Sequence, residues 1–229
     1  MHQIKSRVPQ ALRDCIEIAN MKEIDLSVFG NTPFSYAEML PLLSNYRAHK
    51  NKAQELKRQG LILRLKKGYF VLNPKLSGKP VVPELVANHL LAPSYVSMST
   101  ALRHYGLIPE RVVAINSITS SRTAGFINDV GNFRYTHVAK EYYPIGITID
   151  SIDGTNFLIA TPEKALCDLI TTTRNLRLRS MIELRQYLEE DIRLDMDGFS
   201  EMNPAIFLEC AEVALKKQTI INLAKLLKK

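Results

Sequence analysis

Cysteine, glycine and long apolar runs are all scarce in this chain, and each scarcity closes a class of protein. The three cysteines, Cys15, Cys167 and Cys210, lie far apart with no Cys-x-x-Cys pair. That rules against a disulfide scaffold or a cysteine-built zinc site and suits a reducing compartment. The 10 glycines are not gathered into a phosphate-cradling loop, so nothing supports nucleotide binding. No run of roughly 18 apolar residues occurs, and the polar start "MHQIKSRVPQALRD" does not read as a secretory leader. The expectation is a soluble, cytoplasmic protein without membrane contact. With 46% hydrophobic and 23% charged residues, the chain of 229 should fold over most of its length, as two domains or one large one.

Acid is scarce too, but only locally. Between Ser44 and Lys79 ten Lys and Arg residues face a single Glu55, a net +9. The whole chain carries +7, so the remainder sums to −2. The basic character is therefore a patch, and a patch of this kind favours nucleic acid over membrane as its anionic partner.

The sequence around the patch sets out its elements. "VPQALRDCIEIANMKE" reads as a helix, and "GNTPF" breaks it. Ser35, with Glu38 three residues on, forms a capping box for a short second helix "YAEMLPLL". Ser44 is read as the cap of a third helix, "NYRAHKNKAQELKRQ", ended by Gly60. "LILRLK" and "YFVLN" then alternate as strands about a tight turn at Lys66-Lys67-Gly68. Helix, helix, turn, helix, hairpin is the order of a winged helix-turn-helix, whose second motif helix enters a major groove.

At about 100° per residue, Arg47, Lys50, Asn51, Gln54 and Arg58 fall within one arc of the third helix. Tyr46, Ala53 and Leu56 lie opposite and should pack inward. Arg suits guanine edges, whereas Asn and Gln suit adenine edges. Lys57 borders the arc, within reach of phosphate. The expected DNA-binding set is Arg47, Lys50, Asn51, Gln54, Lys57 and Arg58 on the helix, with Arg64, Lys66 and Lys67 on the hairpin. The plainer alternative is a solvated lysine-rich helix. Exposed helix faces usually mix both signs, because like charges four apart repel, and this one does not.

"NPKLSGKPVVPE", with three prolines and a glycine, marks a boundary. It divides the chain into a DNA-binding domain over 1–76, a linker over 77–84 and a second domain over 85–229. The second domain opens with two short helices. Strand-like segments follow at "RVVAINSITS", "NFRYTHV", "PIGITID" and "TNFLIAT", and then a helix with Thr161 at its cap and Pro162 first inside. More helices complete the chain. The expected fold class is α+β, an N-terminal winged helix-turn-helix followed by a mixed α+β domain with terminal helices.

"YVSMSTALRHYGLIPERVVAINSITS", "GNFRYTHV" and "ATPEKALCDLI" together resemble the core motifs of the AbiEi family of antitoxins, over roughly residues 30 to 172. The resemblance implies a bacterial autorepressor of its own toxin-antitoxin operon. Its partners would be double-stranded operator DNA and an AbiEii-type, nucleotidyltransferase-like toxin. In this chain the winged helix is preceded by an extra helix and carries a longer basic third helix, so the operator sequence does not carry over. The last 55 residues resemble nothing beyond helices.

No catalytic, cofactor or metal site stands out. Glu163, Lys164 and Asp168 suit the start of a helix, where a Glu near the positive end is stabilising. Asp150 and Asp153 with Glu163-Lys164 lack the spacing of a nuclease motif. His104 and His137 have no companion ligands, and Cys167 reads as an inert buried thiol. Two other readings remain: a transcription factor whose second domain senses a small ligand, and an antitoxin that covalently modifies its toxin.

Overall fold

The structure is a computed structural model that describes residues 24–110 and 113–227. The helix expected from Val8 onward, with Cys15, lies outside the described residues. The fold is mixed α+β with two sheets, a three-stranded sheet ordered β1-β3-β2 and a six-stranded sheet ordered β6-β7-β5-β4-β9-β8.

The small sheet comprises β1 (Phe34–Ser35), β2 (Ile62–Lys66) and β3 (Tyr69–Leu72). Helix α1 (Tyr36–Met39) runs directly into a 3-10 turn at Leu40–Leu43, and α2 (His49–Arg58) follows. Their apolar sides, among them Met39, Leu43, Ala53 and Leu56, close on Phe34, Ile62, Phe70 and Leu72 to make a small core. The single-turn helix α3 (Pro74–Ser77) begins with Asn73 accepting from Lys75 N and ends at Gly78 in the left-handed region.

The large sheet comprises β4 (Ser94–Val96), β5 (Ala114–Thr119), β6 (Ala124–Ile127), β7 (Asn132–His137), β8 (Ile147–Ile152) and β9 (Thr155–Ala160). β4 runs parallel to β9 and β5 parallel to β7, and the other pairs are antiparallel. Helices α4 (Pro83–Leu90), α5 (Met98–His104) and α6 (Pro162–Thr172) pack around the sheet. They are followed by α7 (Met181–Gln186), α8 (Met196–Ser200), α9 (Pro204–Val213) and α10 (Lys217–Leu226). Because β4 is only three residues long, the side-chain amide of Asn88 takes the place of a neighbouring strand. It accepts from Leu158 N at 2.7 Å and donates to Leu158 O at 3.2 Å. No helix among the described residues is long and apolar enough to cross a membrane.

The β2–β3 hairpin belongs to both cores. Ile62, Phe70 and Leu72 point into the small one, whereas Leu65 and Val71 are buried in the large one with Leu63 and Tyr69 beside them. The expected linker is not a free tether, because Val82 is buried in the large core and Val81 packs against it. Asn31 before β1 also donates to Thr155 Oγ1 at the start of β9, at 2.7 Å.

Candidate nucleic-acid interface

The candidate site is built from the capping box outward. Ser35 Oγ accepts from Glu38 N at 3.2 Å, and Ser35 N donates to Glu38 Oε2 at 2.6 Å, which satisfies two donors at the start of α1. Tyr36 N donates to Gly68 O at 2.7 Å, tying that helix start to the hairpin turn. Gly68 has φ +76°, a conformation that a side chain would strain. The chain therefore brings α1, α2 and the hairpin turn to one place.

Between α2 and the hairpin runs a groove of ≈ 650 Å³. Tyr36, Phe70 and Gly68 line it with Ala53 and Gln54, and five cations converge on it: Lys50, Lys57, Arg58, Arg64 and Lys67. No carboxylate is among the lining residues. Nor does any carboxylate of the described residues form an ion pair with these five. Like charges held together without counter-charge in a concave, partly apolar site concentrate anions. Asn51 is exposed on the same helix, one residue past Lys50.

Three expectations change here. Ser44 does not cap the basic helix. It closes the 3-10 turn before it, Tyr46 N bonds back to Leu43 O, and the helix starts after Ala48 with no side-chain cap. Arg47 consequently precedes α2 and is not part of its helical arc, although it is exposed. Lys52, counted in the basic patch, is buried, paired with Glu55 at 3.1 Å and set over the Tyr46 ring.

Lys66 is turned away from the groove. The pairing of β2 with β3 shifts between Arg64 and Lys66, so Leu65 is an extra residue and Lys66 comes to lie opposite Tyr69. A bulge of this kind re-aims the side chain that follows it. Simple alternation would have returned Lys66 to the side of Arg64. Instead its Nζ donates to Leu90 O at 2.6 Å and lies 4.3 Å from the centre of the Tyr69 ring. Burial lowers its pKa from the ordinary lysine value. Tyr36 and Phe70 were absent from the sequence reading of the site. The one signal for Tyr36 was its place directly after the capping serine.

Elsewhere, the titratable residues singled out in the sequence meet only in separate pairs, His104 with Asp150 and Lys164 with Asp168. Asp150 Oδ2 lies 2.8 Å from His104 Nε2, a bond that holds the carboxyl below its ordinary range with help from Ser151 N. Glu163 Oε1 accepts from Asn203 N. Lys164 and Asp168 pair in the interior, where Ser97 and Tyr95 donate to Asp168 Oδ2 at 2.6 and 3.0 Å. His137 Nδ1 meets Ser121 O. Cys167 is fully buried, which pushes its thiol well up. Among the described residues no group of three His, Cys, Asp or Glu could hold a metal ion. The body also carries a hollow of ≈ 350 Å³ whose lining includes Ser99, Asn116, Arg134, Asp191 and Ile192.

No protein-family model matches the chain, and no curated protein matches its sequence.

Proposed function

We propose that residues 24–76 act as a winged helix-turn-helix on duplex DNA, with α1 and α2 as the motif helices and the β2–β3 hairpin as the wing. The observation that carries this reading is the groove between α2 and the hairpin, with five converging cations and no acid in its lining. A sugar–phosphate backbone is the ligand that rewards such a lining, since each phosphate neutralised releases a counterion. Lys50, Asn51 and Gln54 sit on the exposed side of α2, where they would meet base edges, and Lys57, Arg58, Arg64 and Lys67 would hold phosphates. The resemblance to AbiEi antitoxins extends the proposal: the chain represses its own operon in the cytoplasm and counteracts a nucleotidyltransferase-like toxin.

The test is a promoter reporter for the chain's own upstream region, read beside growth of cells expressing the neighbouring toxin gene. Lys57→Glu with Arg58→Glu should release repression. A reporter that stays repressed by this variant at normal protein levels would remove the groove from the mechanism. Failure of the unaltered chain to protect against the toxin would remove the antitoxin half alone. A second reading, a regulator that senses a small ligand, is favoured by the body hollow that Arg134 helps to line. It would show as a ligand-dependent change in repression with no toxin gene nearby.

A further inference from the structure

We propose that Lys66 is a positioning residue for the basic groove: it touches no nucleic acid and instead latches the hairpin to the body, fixing where Arg64 and Lys67 stand relative to α2. The inference rests on the DNA-binding reading for its consequence and on the contacts of Lys66 for its substance.

Leu90 ends α4, and the last carbonyls of a helix have no partner within it. Lys66 Nζ supplies that partner at 2.6 Å, and its positive charge also opposes the negative end of the helix. The ammonium lies 4.3 Å from the Tyr69 ring centre and 6.0 Å from that of Phe126 on β6, so aromatic faces from hairpin and body enclose it. A second tie lies alongside. Asn128, in the turn after β6, donates from Nδ2 to Leu65 O at 3.0 Å, the carbonyl of the bulged residue itself. The bulge thus does two things. It exposes a carbonyl for Asn128 and delivers Lys66 to Leu90, while Arg64 and Lys67 remain on the groove side. A wing held at two points by the body is pre-organised for its ligand, which saves ordering it at binding.

A phosphate contact and a latch leave different marks on the salt dependence of binding. Removing a cation that neutralises a phosphate reduces the slope of log affinity against log salt by about 0.9. Removing a latch lowers affinity and leaves the slope alone. The experiment compares Lys66→Met, which keeps the stem and loses the charged donor, with Lys67→Met. Both are titrated as full chains with a duplex from the chain's own upstream region, and hydrogen exchange is followed across Ile62–Leu72. Lys66→Met should bind roughly tenfold more weakly with an unchanged slope, and its hairpin amides should exchange faster. Lys67→Met should lose about one unit of slope with exchange unchanged. Asn128→Ala, which alters no charge, should repeat the Lys66→Met pattern and guards against a variant that misfolds.

A loss of about one unit of slope in Lys66→Met overturns the proposal, because the side chain would then reach phosphate. So does unchanged hairpin exchange in both latch variants. If the unaltered chain binds no duplex at all, the DNA reading fails, and the exchange measurement still decides whether the latch exists.

Discussion

Lys164 and Asp168, one turn apart on α6, form an ion pair with Nζ 3.1 Å from Oδ1 and both side chains fully buried. The pair sits in a polar knot: Lys164 donates to Tyr142 O at 3.0 Å, and Ser97 and Tyr95 donate to Asp168. The knot joins α6 to β4, the strand that bridges the two halves of the large sheet. Such a pair is costly to break from one side, because the remaining charge has no water to turn to.

Asp168→Ala and Lys164→Met are each expected to destabilise the chain by about 3–5 kcal/mol. The double variant should cost clearly less than the sum, since it leaves no lone charge behind. Urea denaturation of the four proteins measures this. Additive single effects would mean that the two groups do not depend on each other.

The acid limb of stability should depend on Asp150. Hydrogen bonding from His104, then from Ser151 N, holds its carboxyl below the ordinary value of 3.8. A carboxyl lowered in the folded state contributes stability above its unfolded value, and that contribution is lost as pH falls through the folded one. Asp150→Asn should therefore lower stability near neutrality, where the contribution is fully present, and flatten the loss of stability below about pH 4. Urea midpoints across roughly pH 2 to 6 check it, and an unchanged acid limb would contradict it.

The shared hairpin should make the two cores unfold as one cooperative unit. Leu65 is buried in the large core and Leu72 in the small one, on strands paired with each other. Alanine at either position should cost about 2–5 kcal/mol and move the same single transition. Two resolved transitions, with Leu72→Ala moving only one, would contradict this. Residues 83–229 expressed alone would lose the cover of Leu65 and Val71 and should be less stable than the same segment in the intact chain.

The difference between legible and illegible features follows sequence distance. The Ser35–Glu38 capping box, the left-handed Gly68 turn and the Thr161–Pro162 helix start were all readable, because each is fixed within about four residues. Most of the basic groove was readable from the rotation of the basic helix and the hairpin after it, since Lys50, Gln54, Lys57, Arg58, Arg64 and Lys67 do meet there. Strands β4 and β6 escaped the reading. Each is three or four residues long and is defined by partners far along the chain, with β4 set between β5 and β9. The bulge at Leu65 escaped as well. A two-residue period cannot show an inserted residue, and that one residue decides whether Lys66 faces the groove or the body.

The measurement that bears most directly on the central claim is the salt dependence of binding to duplex DNA. With Lys57, Arg58, Arg64 and Lys67 on phosphates, the slope of log affinity against log salt should be about −3 to −4 for the chain's upstream region. Lys57→Met with Arg58→Met should reduce its magnitude by about two. A slope near zero, a slope untouched by this pair of substitutions, or no affinity for duplex DNA would contradict the assignment of the groove.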